Sequence, residues 1–202
     1  MPQSPNELLD WSNIISNFAV AAAAVYGLYG FWKWRRELIE KTKFKVARKM
    51  MLLALRFRDE YDRARNPWTD SWEWIERKKG DDEMENISKV LDERFARLRR
   101  LQPLQDTLRK FYEISWEAEV TLSEEDAKIV DLFEKLFQNL YIAIEFFFEK
   151  QLNYAKGHTE VLDNEKMTNK RGIIYGVKGD EISRQADSAA DTVKKQLKKY
   201  IQ

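Results

Sequence analysis

The sequence contains no cysteine and only one histidine, His158. Without cysteine the chain forms no disulfide, offers no thiolate nucleophile and binds no metal through sulfur. One imidazole is too few for the common zinc and di-iron sites, and no Glu-x-x-His string occurs. We therefore predict no metal site, no cofactor and no catalytic residue, and we interpret His158 as a surface residue.

The chain also lacks an excess of charge of one sign. Its 35 basic residues are balanced by 34 acidic ones, for a formal net charge of +1. This balance argues against bulk nucleic-acid binding. The ribonuclease motif of HEPN proteins, an arginine separated from a histidine by four to six residues, is missing because positions 151–153 read Gln-Leu-Asn. The glycines at 172, 176 and 179 match no phosphate-binding pattern, so we predict no nucleotide site.

Charge is absent altogether from residues 14–32. The run falls within the roughly 17–25 residues needed to cross a bilayer. Trp11 precedes it and Trp32 and Trp34 follow, as expected for interfacial tryptophans. The pattern predicts an extracytoplasmic segment at 1–13, a transmembrane helix at 14–32 and a cytoplasmic helical bundle at 33–202.

The charges flanking this run predict its orientation. Glu7 and Asp10 precede it, whereas cations follow it closely, namely Lys33, Arg35, Arg36, Lys41, Lys43 and Lys45. The positive-inside rule then predicts a single-pass protein of the bacterial inner membrane with its N terminus outside. The same cations are predicted to contact anionic lipid headgroups or to surround a pore mouth. Two alternatives are a cleaved signal peptide, which its acidic start disfavours, and a buried alanine-rich helix of a soluble protein.

Small residues recur at helical spacing through this run, at Ser12, Ser16, Ala19, Ala23, Gly27 and Gly30. They share one side of a helix, and bulky residues such as Phe18 and Val25 lie opposite. Small residues let helix backbones approach closely, so the stripe predicts a homo-oligomer. In an alternative interpretation the same stripe lines a pore.

Apolar periodicity predicts an all-α fold for the rest of the chain. The first helix is expected to continue from the membrane span to Arg65, where Asn66-Pro67 ends it. The nearly continuous apolar stretch 46–57 predicts a central rod surrounded by other helices. Further helices are expected at about 82–119, at 123–155 with Ser123 as N-cap, and at 181–201. Residues 156–180 are expected to be irregular.

Two basic clusters are candidate binding sites. Near the end of the first helix, Arg58, Arg63 and Arg65 are candidates for docking a cytoplasmic protein, with ion pairing inside the bundle as the alternative. A second cluster is a candidate RNA contact, with a solvated helix face as the alternative. It contains Arg94, Arg97, Arg99 and Arg100, together with Arg109 and Lys110.

Three strings carry a resemblance to a known family: Trp-Lys-Trp-Arg-Arg-Glu-Leu at 32–38, Ala-Arg-Lys-Met-Met-Leu-Leu-Ala-Leu-Arg-Phe-Arg-Asp at 47–59 and Arg-Asn-Pro-Trp at 65–68. The chain resembles small bacterial membrane-anchored helical proteins, and among them the membrane accessory protein of type VI-B CRISPR systems. That resemblance implies a ring-shaped oligomer whose pore perturbs the inner membrane. We therefore expect a non-enzymatic pore or membrane effector in antiphage defence. The alternative is a membrane-tethered adaptor whose bundle recruits a protein or RNA.

Overall fold

The computed structural model describes the backbone of residues 5–158, 164–177 and 179–201, and the side chains in these ranges from residue 16 onward. Every regular element in this part is helical, which confirms the all-α prediction. The helices are α1 (Pro5–Arg65), α2 (Glu85–Thr121), α3 (Glu124–Ala127), α4 (Val130–Ala155), α5 (Asn164–Ile174) and α6 (Glu181–Leu197), with short 3-10 helices at Ser71–Glu73 and Lys198–Tyr200. The chain forms two compact units, Met1–Phe44 and Lys45–Gln202, and α1 contributes to both.

The first unit consists, as far as the structure describes it, of helix α1 alone. Every side chain from residue 16 to residue 41 is exposed, including large apolar ones such as Phe18 and Trp32. We call residues 16–41 the exposed segment. The exposed segment has no hydrophobic core, because no other described element of this unit packs against it.

Within the residues that the structure describes, no helix is both long and apolar enough to cross a membrane. The prediction of a single-pass inner-membrane protein with an outside N terminus is therefore wrong for the described chain. The transmembrane helix at 14–32, which was part of the fold prediction, is not supported either. The physical reason is composition. The exposed segment is rich in alanine, glycine and tyrosine, which favour lipid only weakly, and charges begin at Lys33.

The second unit, residues 45–202, is a helical bundle around one apolar core. Three aromatic rings lie at its centre. The ring of Phe133 on α4 is 5.1 Å from that of Phe57 on α1 and 4.9 Å from that of Phe111 on α2, measured between centroids. Helix α6 adds small buried residues, Ala186 and Ala190, which let it pack close to the core.

Several helices begin or end at residues whose local sequence favours a helix terminus. Helix α1 ends at Arg65, directly before Asn66-Pro67, as predicted. Ser123 caps α3 by accepting a hydrogen bond from the backbone N–H of Asp126 at 3.2 Å. Asp180 caps α6 in the same way, with Ser183 as donor at 2.7 Å.

Three parts of the bundle differ from the sequence prediction. The single helix predicted at 123–155 is divided by a turn at residues 128–129 into α3 and α4. The segment expected to be irregular contains α5, whose last residue, Ile174, is fully buried and anchors the helix to the core. The stretch 46–57 is not surrounded, since Leu52 and Leu55 are 55% and 42% exposed. A helix with apolar residues on all sides can be buried on all sides. Whether it is buried depends on how many helices pack against it.

Candidate functional sites

The exposed segment carries an unusual amount of aromatic surface. Six of its aromatic side chains expose between 54% and 78% of their area, namely Phe18, Tyr26, Tyr29, Phe31, Trp32 and Trp34. An aromatic side chain buries roughly 150–250 Å² when covered, so the six together expose roughly 800 Å². A stable protein interface covers about 800 Å² on each partner. The segment is therefore large enough to form an interface by itself.

The small-residue stripe lies on this segment and is open. Ser16, Ala19 and Ala23 are exposed, and at Gly27 and Gly30 an added Cβ would meet no atom within 4 Å. The side chains of Ser12 and Trp11 lie outside the described residues. The stripe predicted for helix association is thus unoccupied wherever the structure describes it.

The cations that follow the stripe are surface residues. Lys33, Arg35, Lys41 and Lys45 are exposed, and Arg36 pairs with Glu40 one helical turn away at 2.9 Å. Lys43 is partly buried and also has an interaction partner. An exposed pair at this spacing contributes only about 0.3–0.5 kcal/mol to stability. In the described part of the chain these side chains enclose no anion site, and they make this end of the segment charged.

Arg65 is fully buried at the end of α1, where it forms what we call the Arg65 clamp. Its Nη1 and Nη2 donate to the two carboxylate oxygens of Asp180 at 2.9 and 2.8 Å. Nη1 also donates to Ser183 Oγ at 2.8 Å. Nε and Nη2 donate to the carbonyl oxygens of Ile173 and Gly172 at 2.7 and 3.0 Å. All five guanidinium donors are therefore used inside the fold.

The clamp joins the end of α1 to α5 and α6. Hydrogen bonds from the Arg65 guanidinium, opposed by burial, lower the pKa of Asp180 to about 2. Gly176 lies so close that a Cβ there would overlap Arg65 and Asp180. Arg65 was a candidate for docking a partner protein, but its side chain is fully buried and therefore not accessible to one.

The other two docking candidates lie nearer the surface. Arg58 donates to Asp59 at 2.8 Å and lies 3.7 Å from Asp187 on α6. Arg63 is exposed. The structure does not gather the three arginines into one surface, because Arg58 and Arg65 have partners within the bundle.

A second clamp holds the connection between α1 and α2. Arg97, which is fully buried, donates to the carbonyl oxygens of Asn66 and Pro67. Arg100 donates to the carbonyl oxygens of Asn66 and Trp68 and forms an ion pair with Glu73. We call this set the connection clamp. Sequence reasoning missed it, and the only signal was the spacing of two arginines three residues apart on α2.

Four of the five arginines in the candidate RNA cluster have partners outside their own helix, whereas Arg109 and Lys110 are exposed on α2. Besides the two in the connection clamp, Arg94 lies 2.6 Å from Glu145, and Arg99 lies 3.1 Å from Glu76. A phosphate contact would have to replace these bonds. These four arginines are therefore explained by contacts within the bundle, and their arrangement gives RNA binding no support.

Beside the connection clamp, Arg97 also contacts the ring of Tyr175. Its Cζ lies 4.6 Å from the ring centroid, and the Tyr175 hydroxyl donates to Glu93 at 2.7 Å. Burial, reinforced by the hydrogen bond to Glu93, raises the pKa of Tyr175, so the phenol stays protonated as a donor. Burial also lowers the pKa of Arg97.

No group of three or more metal-ligating side chains occurs in the part of the chain that the structure describes, and His158 is exposed. Comparison with known proteins identifies no matching family model, no matching curated protein and no matching solved structure. The resemblance to type VI-B CRISPR accessory proteins therefore stays a prediction. The functional conclusion depends on the geometry of this chain alone.

Proposed function

We propose that this is a non-enzymatic, self-assembling helical protein, in which the exposed segments of several copies pack together. One observation carries the proposal. Every described side chain from residue 16 to residue 41 is exposed, although many are large and apolar. Apolar patches of this size on a protein surface mark interaction sites.

A second copy of the chain is the occupant that fits this segment best. Ala19, Ala23 and Gly27 lie on one side of the helix, with bulky side chains such as Phe18 and Val25 on the other. The small side of one copy offers room for the bulky side of the next. Because the two sides differ, the contact is heterologous, and repeated heterologous contacts close into a ring or extend into a filament.

Residues 18–32, within the uncharged part of the segment, are apolar on all sides, which also favours more than two copies. A dimer would cover one side of each helix, whereas a helix that is apolar all round requires neighbours on several sides. The pore expectation required a membrane-spanning helix, so it is not part of this proposal. The adaptor alternative predicts instead that a different protein covers the segment.

Native mass spectrometry of the full-length chain tests this proposal. We expect a discrete assembly of more than two chains. Ala23→Leu and Gly27→Leu fill the small side and should shift the assembly to smaller species, whereas Ala21→Leu, on the bulky side, should leave it intact. All three positions are exposed, so circular dichroism should show an unchanged bundle. A monomeric wild-type protein at tens of micromolar, or stripe variants that assemble normally, would refute self-assembly through this stripe.

A further inference from the structure

A surface cleft lies between α2, α4 and α5, beside the connection that follows α1. Its volume is about 650 Å³, within the roughly 300–1,000 Å³ typical of small-molecule sites. Its walls combine two aromatic rings, Phe147 and Tyr175, with the polar side chains of Glu93, Gln151 and Arg171. Such a mixture of apolar walls and a few convergent polar groups is typical of ligand sites. Self-assembly of the exposed segment does not use this cleft.

The charged side chains that line the cleft are those of Glu93 and Arg171, and a further guanidinium, that of Arg97, is buried against the ring of Tyr175. Arg97 donates its Nη hydrogen bonds to neutral backbone carbonyls, and its Nε is buried without a hydrogen-bond partner. Its one ion pair among the described residues is with Glu93, at 3.8 Å. That carboxylate already accepts the hydroxyl of Tyr175. Glu93 therefore compensates Arg97 incompletely, and a buried charge with incomplete compensation favours additional negative charge nearby.

Arg171 adds a second guanidinium on the wall formed by α5. It is exposed, and in the part of the chain that the structure describes it forms no ion pair. The cleft thus has one guanidinium on its wall and a second one buried next to Tyr175, with Glu93 as the lining carboxylate. A guanidinium binds a carboxylate or phosphate through two parallel hydrogen bonds, which no neutral ligand group matches.

We propose that this cleft binds a small organic anion with a flat ring, whose carboxylate or phosphate group pairs with Arg171. The ring of the ligand lies against the partly exposed ring of Tyr175, and the nearly buried Phe147 supports that wall. Arg97 contributes positive potential without touching the ligand, because its Nη atoms are already bonded. Gln151 offers an amide for hydrogen bonds along the wall.

Isothermal titration of the full-length protein at fixed ionic strength tests the proposal with three probes. Adenosine monophosphate and benzoate represent the phosphate and carboxylate forms, and adenosine is the uncharged control. We expect at least one anion to bind with a millimolar or lower dissociation constant and adenosine to bind at least about tenfold more weakly than the monophosphate. Binding of one anion but not the other identifies which group the cleft prefers.

Arg171→Gln should weaken binding of the anion about tenfold or more while leaving the melting temperature unchanged, because this side chain is exposed. Arg184→Gln is the matched control, since Arg184 is an exposed arginine on α6 outside the cleft. The proposal is overturned by failure of both anions to bind, by equal binding of adenosine and its monophosphate, or by unchanged binding to Arg171→Gln.

Discussion

At the scale of single residues, the cost of burying Arg65 explains much of the local sequence. A buried guanidinium is tolerated only when its donors are satisfied and its charge is compensated. Asp180 supplies the charge, and Ser183 with two backbone carbonyls supplies the remaining acceptors. The space this requires excludes any side chain at Gly176. The residue types at three positions, Asp180, Ser183 and Gly176, are thus constrained by one buried charge.

Gly176→Ala should destabilise the protein by about 2 kcal/mol, because the new methyl group overlaps the Arg65 clamp and forces the ion pair to move. Gly172→Ala is the matched control. Position 172 is helical and a Cβ there meets no atom within 4 Å, so alanine should raise stability by about 0.5–1 kcal/mol. Urea unfolding of both variants measures the difference. Equal free energies of unfolding would contradict the steric role of Gly176.

The Arg65 clamp should also be pH-sensitive. The pKa of Asp180 is about 2 in the folded protein, below the roughly 3.9 expected in the unfolded chain. A lowered folded-state pKa contributes stability above the unfolded value, and this contribution is lost as the pH falls from about 4 towards 2. Asp180→Asn should therefore be much less stable than wild type at pH 7, and the gap should narrow below pH 4. Urea midpoints across this range measure it, and a constant gap would contradict the assignment.

At the scale of elements, the connection between α1 and α2 is held by hydrogen bonds to its backbone carbonyls and by the buried side chain of Glu73. Trp68 is 82% exposed, yet its carbonyl oxygen accepts a hydrogen bond from Arg100. Glu73, almost fully buried, links the 3-10 helix to the same arginine. A chain segment fixed in this way keeps its exposed side chains in one arrangement, although few of them pack.

Arg100→Gln should loosen this connection locally. The substitution removes the ion pair with Glu73, leaves a buried carboxylate with less compensation and should cost about 2 kcal/mol. Hydrogen exchange measured by mass spectrometry should show faster exchange in residues 68–75 than in wild type.

Arg109→Gln is the control for this experiment, because Arg109 is an exposed arginine of the same helix whose only ion pair in the described chain is a 3.4 Å contact with Asp106. We expect its exchange pattern to match that of wild type. If Arg100→Gln also exchanged like wild type, the connection clamp would have no role in holding this segment.

At the scale of the whole molecule, the two units gain stability from different sources. Residues 45–202 bury their own core, whereas the exposed segment buries almost nothing. Helices gain most of their stability in proteins from packing, so an unpacked helix is marginal in water. Self-assembly would supply the missing packing and would link the order of this segment to protein concentration.

Backbone hydrogen exchange at two protein concentrations tests this link. Protection of residues 16–41 should rise with concentration in the wild-type protein, because assembly covers them. Protection of residues 46–57 should not change, since their core lies within one chain. In Ala23→Leu the segment should exchange rapidly at both concentrations. Strong, concentration-independent protection of the segment in the monomer would contradict the model.

The sequence by itself determined the features that depend on neighbouring residues. Apolar periodicity predicted the all-α fold, Asn66-Pro67 predicted the end of α1, and Ser123 predicted the start of α3. The small-residue stripe was also readable, because all its members lie on one helix. These features follow from local geometry and from side chains within about one helical turn.

Only the tertiary structure decided which charges are buried and which apolar residues are exposed. Arg65 and Asp180 are 115 positions apart, and Arg97 reaches a carbonyl 31 positions away. No local pattern distinguishes these arginines from solvated ones. Likewise the burial of Ile174 in the core anchors α5. Leu52 is exposed because no described helix covers it. Burial depends on which distant elements meet, and that is a property of the assembled fold.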